Sequence, residues 1–112
     1  MPLLKPIPPA LLPHSMTVAV PDPDAAYGGE YLDPVEVAGV RYEGATGLET
    51  NGYRLAEGAA GRVWMDAENT DGAFDVPVGS KVSLLGHEFA CASCRAYEGP
   101  SGKVHHWEMD LR

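Results

Sequence analysis

Glycine and proline occur so often in this chain that they leave no room for a long helix. The 13 glycines and 10 prolines among 112 residues divide the sequence into short apolar stretches. No window carries the i, i+3, i+4, i+7 stripe of an amphipathic helix. The stretches themselves are bounded by Gly, Pro, Asp or Asn, which is typical of short β-strands. The chain is therefore predicted to be all-β.

Six strands are expected from these boundaries. They cover 16–20, 35–43, 61–66, 80–86, 87–95 and 103–111. Six short strands without helices form a small antiparallel β-barrel or sandwich. Turn residues at 85–88 and 98–102 further predict that the last three strands form an antiparallel meander.

The length and composition are those of one folded domain spanning residues 1–112. A chain of 112 residues with 45% hydrophobic and 21% charged residues is close to the globular average. No apolar run approaches the roughly 18 residues of a membrane span. The opening MPLLKPIPPALLP has too many prolines for a signal peptide, so we expect a soluble protein made in a cytoplasm, without a membrane partner.

Two segments outside the strands are candidates for contacts with other subunits. Residues 1–15 are proline-rich and predict an extended arm with one helical turn at 9–12. On this arm, Leu11 and Leu12 either contact a neighbouring subunit or fill the end of their own barrel. Residues 44–60 are rich in Gly and Ala and predict a long flexible loop, a kind of segment that is often functional. The candidate contact residues in the loop are Leu48, Tyr53 and Leu55.

The charge of the chain argues against binding to the DNA backbone. The 16 acidic residues exceed the 8 basic ones, which gives a net charge of -8. Phosphate binding needs clustered Lys and Arg, and no such cluster is present in the sequence. Twelve of the acidic residues fall between Thr17 and Asp75, with three arginines among them. We expect a solvated acidic surface, and the alternative is a surface that attracts a basic partner.

Two cysteines and two histidines suggest a metal site at first sight. Cys91 and Cys94 form a CxxC motif, and His105 and His106 follow it. On an extended strand, however, the two cysteines point to opposite faces with Cα atoms roughly 10 Å apart. This distance exceeds the disulfide limit of roughly 7 Å, so two free thiols are predicted. A small β-barrel module that holds a metal through these four residues is the alternative.

The final strand has the alternation of a half-buried strand. Trp107, Met109 and Leu111 are predicted to face the core, with His105 at the boundary. On the other face, His106, Glu108 and Asp110 form an outward row that is available to solvent or to a partner. The full set of predicted core residues is Val40, Trp64, Phe89, Trp107, Met109 and Leu111.

The sequence contains no recognisable catalytic motif. GxSxG, HExxH, the P-loop and GxGxxG are all absent from it. Asp66 and Glu68 in WMDAENTDG could be paired carboxylates or calcium ligands, but their spacing does not fit a calcium loop and favours a turn. We therefore expect no catalytic residue, no cofactor and no enzymatic activity. A lid-covered enzyme, with the loop at 44–60 as its lid, remains a third possibility.

Six short motifs follow one another along the chain: IPPALL at 7–12, a Tyr-Gly pair at 27–28, VRYE at 40–43, DAENT at 66–70, GHEF at 86–89 and HHWE at 105–108. In this order they resemble the motifs of the small minor capsid proteins of tailed phages and prophages. That family has an early IPxxLL stretch, a Tyr-Gly pair, a VRxE strand, a DxxN[S/T] turn, a GxE-aromatic strand and a terminal HHWE. The correspondence covers nearly the whole chain.

The resemblance implies a structural component of the virion neck, made in the host cytoplasm. Such head-closure proteins are similar in fold to small β-barrel stopper proteins, and they form a ring, expected to be dodecameric, between the portal and its adaptor and the tail. The ring retains packaged DNA and docks the tail-completion proteins. DNA passes through its channel without being read in a sequence-specific way. The resemblance also implies that residues 44–60 form the gating or docking loop.

Overall fold

The protein is a closed six-stranded antiparallel β-barrel, which confirms the predicted fold class. The computed structural model describes residues 5–25, 28–50, 52, 55 and 58–112, and the side chains of all of these except 48–50. A short 3-10 helix, Pro9–Leu11, precedes the first strand. The further elements are β1 (His14–Ala19), β2 (Val35–Gly44), α1 (Ala45–Thr50), β3 (Gly61–Asp66), β4 (Lys81–Leu84), β5 (His87–Glu98) and β6 (Val104–Leu111).

The strands follow the order β1-β2-β3-β6-β5-β4, and β4 pairs with β1 to close the barrel. Each neighbouring pair is antiparallel. The last three strands form the predicted meander, since β4 pairs with β5 and β5 with β6. Closure removes the exposed sheet edges that would otherwise pair with other chains. Contacts with other molecules must therefore use side chains, loops or the arm.

The core contains alternate residues from every strand. Val63 and Met65 of β3 are fully buried, whereas Trp64 between them is only half-buried and lies near Arg62 on the outer face. The prediction that Trp64 belongs to the core was therefore wrong, because the alternation of β3 assigns it to the other face. Of the other predicted core residues, Val40, Met109 and Leu111 are fully buried, and Phe89 and Trp107 are half-buried against the core.

A bulge in β2 depends on a glycine. The register between β1 and β2 shifts where His14 pairs with Val40 and Ser15 pairs with Ala38, so Gly39 is the extra residue. Gly39 has a φ of 79°, and a Cβ built there would lie 2.9 Å from the carbonyl oxygen of Asn69. Only glycine adopts this conformation readily and allows such a close approach. The bulge brings β2 against the turn that follows β3.

A second bulge, in β5, overturns the prediction that the two cysteines face opposite sides. Cys91 pairs with Leu111 and Ser93 with Asp110, so one extra residue separates the two cysteines in register. Cys91 is buried in the core, and Cys94 packs against the same core. Simple alternation fails here because a bulge adds one residue and reverses the facing of those that follow.

Two segments extend the barrel. The arm has its predicted helical turn at Pro9–Leu11. In the segment 44–60, Gly44 is the last residue of β2 and the short helix α1 follows it, which the sequence did not predict. The predicted flexibility of this segment falls partly on residues 51, 53, 54, 56 and 57, which lie outside the described residues. The base of this second segment is fixed, because the N–H of Ala45 donates to the carbonyl of Ala60 and Gly44 pairs with Gly61. No helix within the described ranges is both long and apolar enough to cross a bilayer.

Candidate functional site

The turn after β3 holds the proline-rich arm against the barrel. Asp66, the last residue of β3, is completely buried. One of its carboxylate oxygens accepts a hydrogen bond from the N–H of Ile7 at 2.9 Å, and the other accepts from the N–H groups of Glu68 and Asn69 at 3.0 and 2.8 Å. These bonds confirm that the acidic cluster forms a turn. A buried carboxylate needs several such donors to offset its desolvation.

Asn69 and Thr70 complete the turn. The side-chain amide of Asn69 donates to the carbonyl of Ile7 at 2.8 Å, so Ile7 is bound through both of its backbone groups. The hydroxyl of Thr70 accepts from the N–H of Asp66 and donates to the carbonyl of Gly39. Thr70 thereby joins the turn to the bulge in β2.

His105 supplies the third contact with the arm. Its Nε2 lies 2.6 Å from the carbonyl oxygen of Lys5 and donates to it. We call Asp66, Asn69 and His105 the arm clamp. All three bind main-chain groups of residues 5–7, so the clamp recognises the path of the backbone rather than particular side chains. The arm, the DxxNT turn and the terminal HHWE, which lie far apart in sequence, meet in this one cluster.

A second polar cluster lies on the outer face of β3 and β6. The guanidinium of Arg62 donates to Asp110 at 2.6 Å and to Glu108 at 3.2 Å. Hydrogen bonding to Asp110 is the main cause that raises the pKa of Arg62 above its usual range, and this outweighs the lowering effect of burial. Nε2 of His106 lies 2.9 Å from Glu108, and the ring of Tyr97 stacks on His106 at 4.9 Å. We call Arg62, His106, Glu108 and Asp110 the Arg62 cluster.

This cluster changes the interpretation of the outward row. Asp110 is only 6% exposed, and Glu108 and His106 are bonded within the cluster. The prediction that all three side chains are left available to a partner was therefore wrong for Asp110. Sequence reasoning missed Arg62, which organises the row. The sequence did contain a signal for this cluster. Arg62 is a single arginine on one predicted strand, and Glu108 and Asp110 are acidic residues at alternate positions of another predicted strand.

The indole of Trp107 also has a polar partner. Its Nε1–H donates to Asp75 at 2.6 Å, while its ring packs against the core. Trp107 thus ties β6 to the segment before β4. Among the described residues, every buried side-chain nitrogen and oxygen has a hydrogen-bond partner. The polar groups of the terminal motif are therefore engaged in holding the fold together.

The cysteines and histidines of the CxxC and HH pairs do not converge. Cys94 pairs with Met109 across β5 and β6, whereas His106 pairs with Tyr97. At about 3.4 Å per residue, the three positions from Met109 to His106 span about 10 Å. Within the described part of the chain, no three His, Cys, Asp or Glu side chains are grouped to hold a metal ion. Both cysteines are free thiols, and burial raises the pKa of Cys91 to about 12.

The predicted contact residues on the arm have different environments. Leu12 is only 5% exposed within its own molecule, although it is not part of the core cluster inside the barrel, whereas Leu11 is 50% exposed. Leu55 lines the same cavity as Arg62, Glu108 and Asp110. The side chain of Leu48 and the whole of Tyr27 and Tyr53 lie outside the described residues.

An apolar groove opens on another side of the barrel. It has a volume of about 410 Å³ and is lined mainly by Val18, Val20, Leu32, Val35 and Phe74, and its lining also includes two acidic residues, Asp33 and Glu36. Leu32 and Val35 are each 48% exposed. Apolar side chains grouped in this way are frequent at contacts between proteins, and the sequence analysis did not select them.

No protein-family model matches this chain, and neither does any curated protein or solved structure.

Proposed function

We propose that this protein is a structural component of a phage or prophage virion neck, a minor capsid protein of the head-closure type. It assembles as a ring between the portal with its adaptor and the tail. The ring retains the packaged DNA and docks the tail-completion proteins. The mechanism needs no bond chemistry, since symmetric association and a change of order in one loop are sufficient.

The observation that carries this proposal is the convergence of the motifs that resemble the family. The early arm, the DxxNT turn and the terminal histidines bind one another through Asp66, Asn69 and His105. Their polar groups bond to the main chain of the same molecule. These three residues therefore hold the arm against the barrel. A subunit of a ring needs such a fixed architecture, and the motifs that resemble the family supply it here.

The segment from 45 to 60 supports a gating or docking role for the loop. Its two ends are paired at the barrel, at Gly44 with Gly61 and at Ala45 with Ala60. A segment anchored at such a base can change its conformation without disturbing the strands. The loop therefore suits a part that closes over a channel or contacts a neighbour while the barrel stays rigid.

The charge of the chain is consistent with a channel through which DNA slides. A net charge of -8 repels the phosphate backbone at short range, so the ring does not bind the genome tightly. Retention in this proposal is mechanical and depends on the loop.

The proposal is tested in a phage or lysogen from which the gene has been deleted, with the protein supplied from a plasmid. Without the protein, we expect heads that lose their DNA to nuclease and do not join tails. Supplying the protein should restore both properties, and the labelled protein should appear at the neck in electron micrographs. Normal particles in the deletion strain, or absence of the protein from virions, would contradict the proposal.

Two further observations separate this proposal from the metal-binding alternative. A portal gene and a major capsid gene upstream, with tail genes downstream, would agree with a neck protein. Metal analysis of the purified chain tests the alternative directly, and near-stoichiometric zinc would favour a metal-binding module.

A further inference from the structure

The two adjacent histidines form a continuous chain of hydrogen bonds from the arm to the Arg62 cluster. Nε2 of His105 contacts the carbonyl oxygen of Lys5 at 2.6 Å. Nδ1 of His105 lies 2.9 Å from Nδ1 of His106. Nε2 of His106 lies 2.9 Å from a carboxylate oxygen of Glu108. Two imidazole rings thus connect two groups that can only accept hydrogen bonds.

The three contacts need three N–H groups. Each contact requires one proton, because the carbonyl of Lys5 and the ionised carboxylate of Glu108 supply none. Two neutral imidazoles carry only two N–H groups between them. The chain of bonds is therefore complete only when the pair holds one additional proton and one of its rings is an imidazolium.

The contact with Glu108 favours this additional positive charge. The charged groups that face the pair come from the arm, β3, β5, β6, the turn after β3 and the loop before β6. The cations are Lys5, Arg62, Arg95 and Lys103, the carboxylates are Asp66, Glu68, Glu108 and Asp110, and the phenol of Tyr97 stacks on His106. These charges balance in number, but the carboxylate of Glu108 contacts an imidazole directly, at 2.9 Å, and its negative charge favours a proton on the pair.

When the additional proton is absent, one of the three bonds must be lost. The contact between His106 and Glu108 involves a full negative charge, and such charge-assisted bonds are about twice as strong as neutral ones. The neutral pair therefore keeps its N–H toward Glu108 and donates from Nδ1 of His105 to His106. Nε2 of His105 then presents a lone pair to the carbonyl of Lys5. The bond that is lost is the one that holds the arm.

We propose that His105 and His106 form a proton-binding site that couples docking of the arm to pH. Docking of residues 5–7 takes up one proton, so the arm is held most firmly in acid and is loosened as the pH rises. Histidine is suited to this role because its charge changes between about pH 5 and 8. The coupling is independent of the proposed neck function, since it concerns only the arm and the barrel of one molecule.

The proton count is tested directly in the full-length protein labelled with ¹⁵N. Long-range ¹H–¹⁵N spectra of the imidazoles should show three N–H groups on the pair at pH 5 and two at pH 8. The amide of Ile7, which donates to Asp66, reports docking of the arm through its protection from hydrogen exchange. After correction for the intrinsic rate, this protection should fall by about fivefold over the same range, as expected for loss of one hydrogen bond.

Replacement of Glu108 by Gln separates this coupling from a purely structural role. In the E108Q variant, the side-chain amide can donate to Nε2 of His106, so two neutral imidazoles satisfy all three contacts. We expect the arm to stay docked and the protection of Ile7 to become independent of pH. His87→Gln is the matched control, because His87 is exposed and lies at the other end of β5, and its substitution should leave the pH dependence unchanged.

Two results would overturn the proposal. One is a pair that carries only two N–H groups at pH 5 while Ile7 remains protected. The other is a folded E108Q variant that retains the pH dependence of the unsubstituted protein. The spectra of the unsubstituted chain need no variant, so they decide the proton count even where E108Q fails to fold.

Discussion

Leu85 occupies a backbone conformation that disfavours its side chain. It has a φ of 50° in the two-residue turn between β4 and β5, and Gly86 follows with a φ of 78°. Hairpins of this length favour positive φ at both turn residues, which is why Asn-Gly is the preferred pair. Leucine there costs about 1 to 2 kcal/mol, and its side chain is 60% exposed and gains little from packing.

Replacing Leu85 by Asn should therefore stabilise the protein. Asn accepts the left-handed conformation, so we expect a gain of roughly 1 kcal/mol, which corresponds to a rise of about 4 °C in the melting temperature. Thermal and urea unfolding measure this gain. Val78→Asn is the control, because Val78 lies in a turn with a similar exposure of 68% but lacks a positive φ. Equal changes in the two variants would show that loss of an exposed apolar side chain, and not backbone strain, is responsible.

Cys91 should be almost unreactive in the folded protein. Burial is the main cause that raises the pKa of its thiol from 9.0 to about 12, and the nearby Cys94 adds to the effect. The reactive thiolate at pH 8 is thus reduced by roughly 1000-fold relative to an unfolded chain. Reaction with a disulfide reagent, followed in the C94S variant, should be very slow until denaturant is added. Rapid reaction of the folded C94S variant would contradict the burial of Cys91.

The same thiol makes stability depend on pH in the alkaline range. A pKa that is raised on folding means that the thiolate favours the unfolded chain, so the contribution of Cys91 to stability is complete below about pH 9 and is lost as the pH rises toward about 12. The C91S variant removes this dependence. Urea unfolding at pH 8 and pH 10 should show a larger loss of stability in the parent protein than in C91S.

At the scale of the elements, the sequence pattern predicted where the strands lie better than which of their side chains face the core. All six strands were located because Gly, Pro and Asp residues mark their ends, and β3 matches its predicted bounds. The bulge in β5 was missed because Ala92 and Ser93 carry no turn signal, and it reversed the facing of Cys94. The Arg62 cluster was missed because Arg62 lies 46 to 48 residues from its acidic partners. Such pairings depend on strand order, which the sequence did not reveal.

The pairing of β3 with β6 should depend on Arg62. Replacement of Arg62 by Ala leaves the nearly buried carboxylate of Asp110 without its main cation. Because a buried charge without its partner is unfavourable, we expect the free energy of unfolding to fall by about 3 kcal/mol. Arg41→Ala is the matched control, since its ion pair with Glu43 is more exposed and should contribute less than about 1 kcal/mol. Urea unfolding of both variants provides the comparison. Equal losses would show that the buried network adds nothing beyond an ordinary surface pair.

At the scale of the whole molecule, the loop at 44–60 is an extension that the barrel does not need in order to close. The pairing of Gly44 with Gly61 and of Ala45 with Ala60 lies at its base, and each strand of the barrel has its partners without it. A two-residue turn in place of residues 46–59 should therefore leave the barrel intact. A shorter connection also has a lower closure entropy, so the free energy of unfolding should stay the same or rise by about 1 kcal/mol.

The same deletion separates the stability of the barrel from the proposed work of the loop. Because the fold is expected to survive, any defect in particles carrying the shortened protein must come from the loop itself. We expect such particles to incorporate the protein and to lose packaged DNA or tail attachment, as measured by nuclease protection and electron microscopy. Normal DNA retention and tail joining would reject the gating and docking roles of the loop, while the architecture of the barrel would stand. A shortened chain that fails to fold would instead show that α1, through its contacts with β2 and β3, belongs to the architecture.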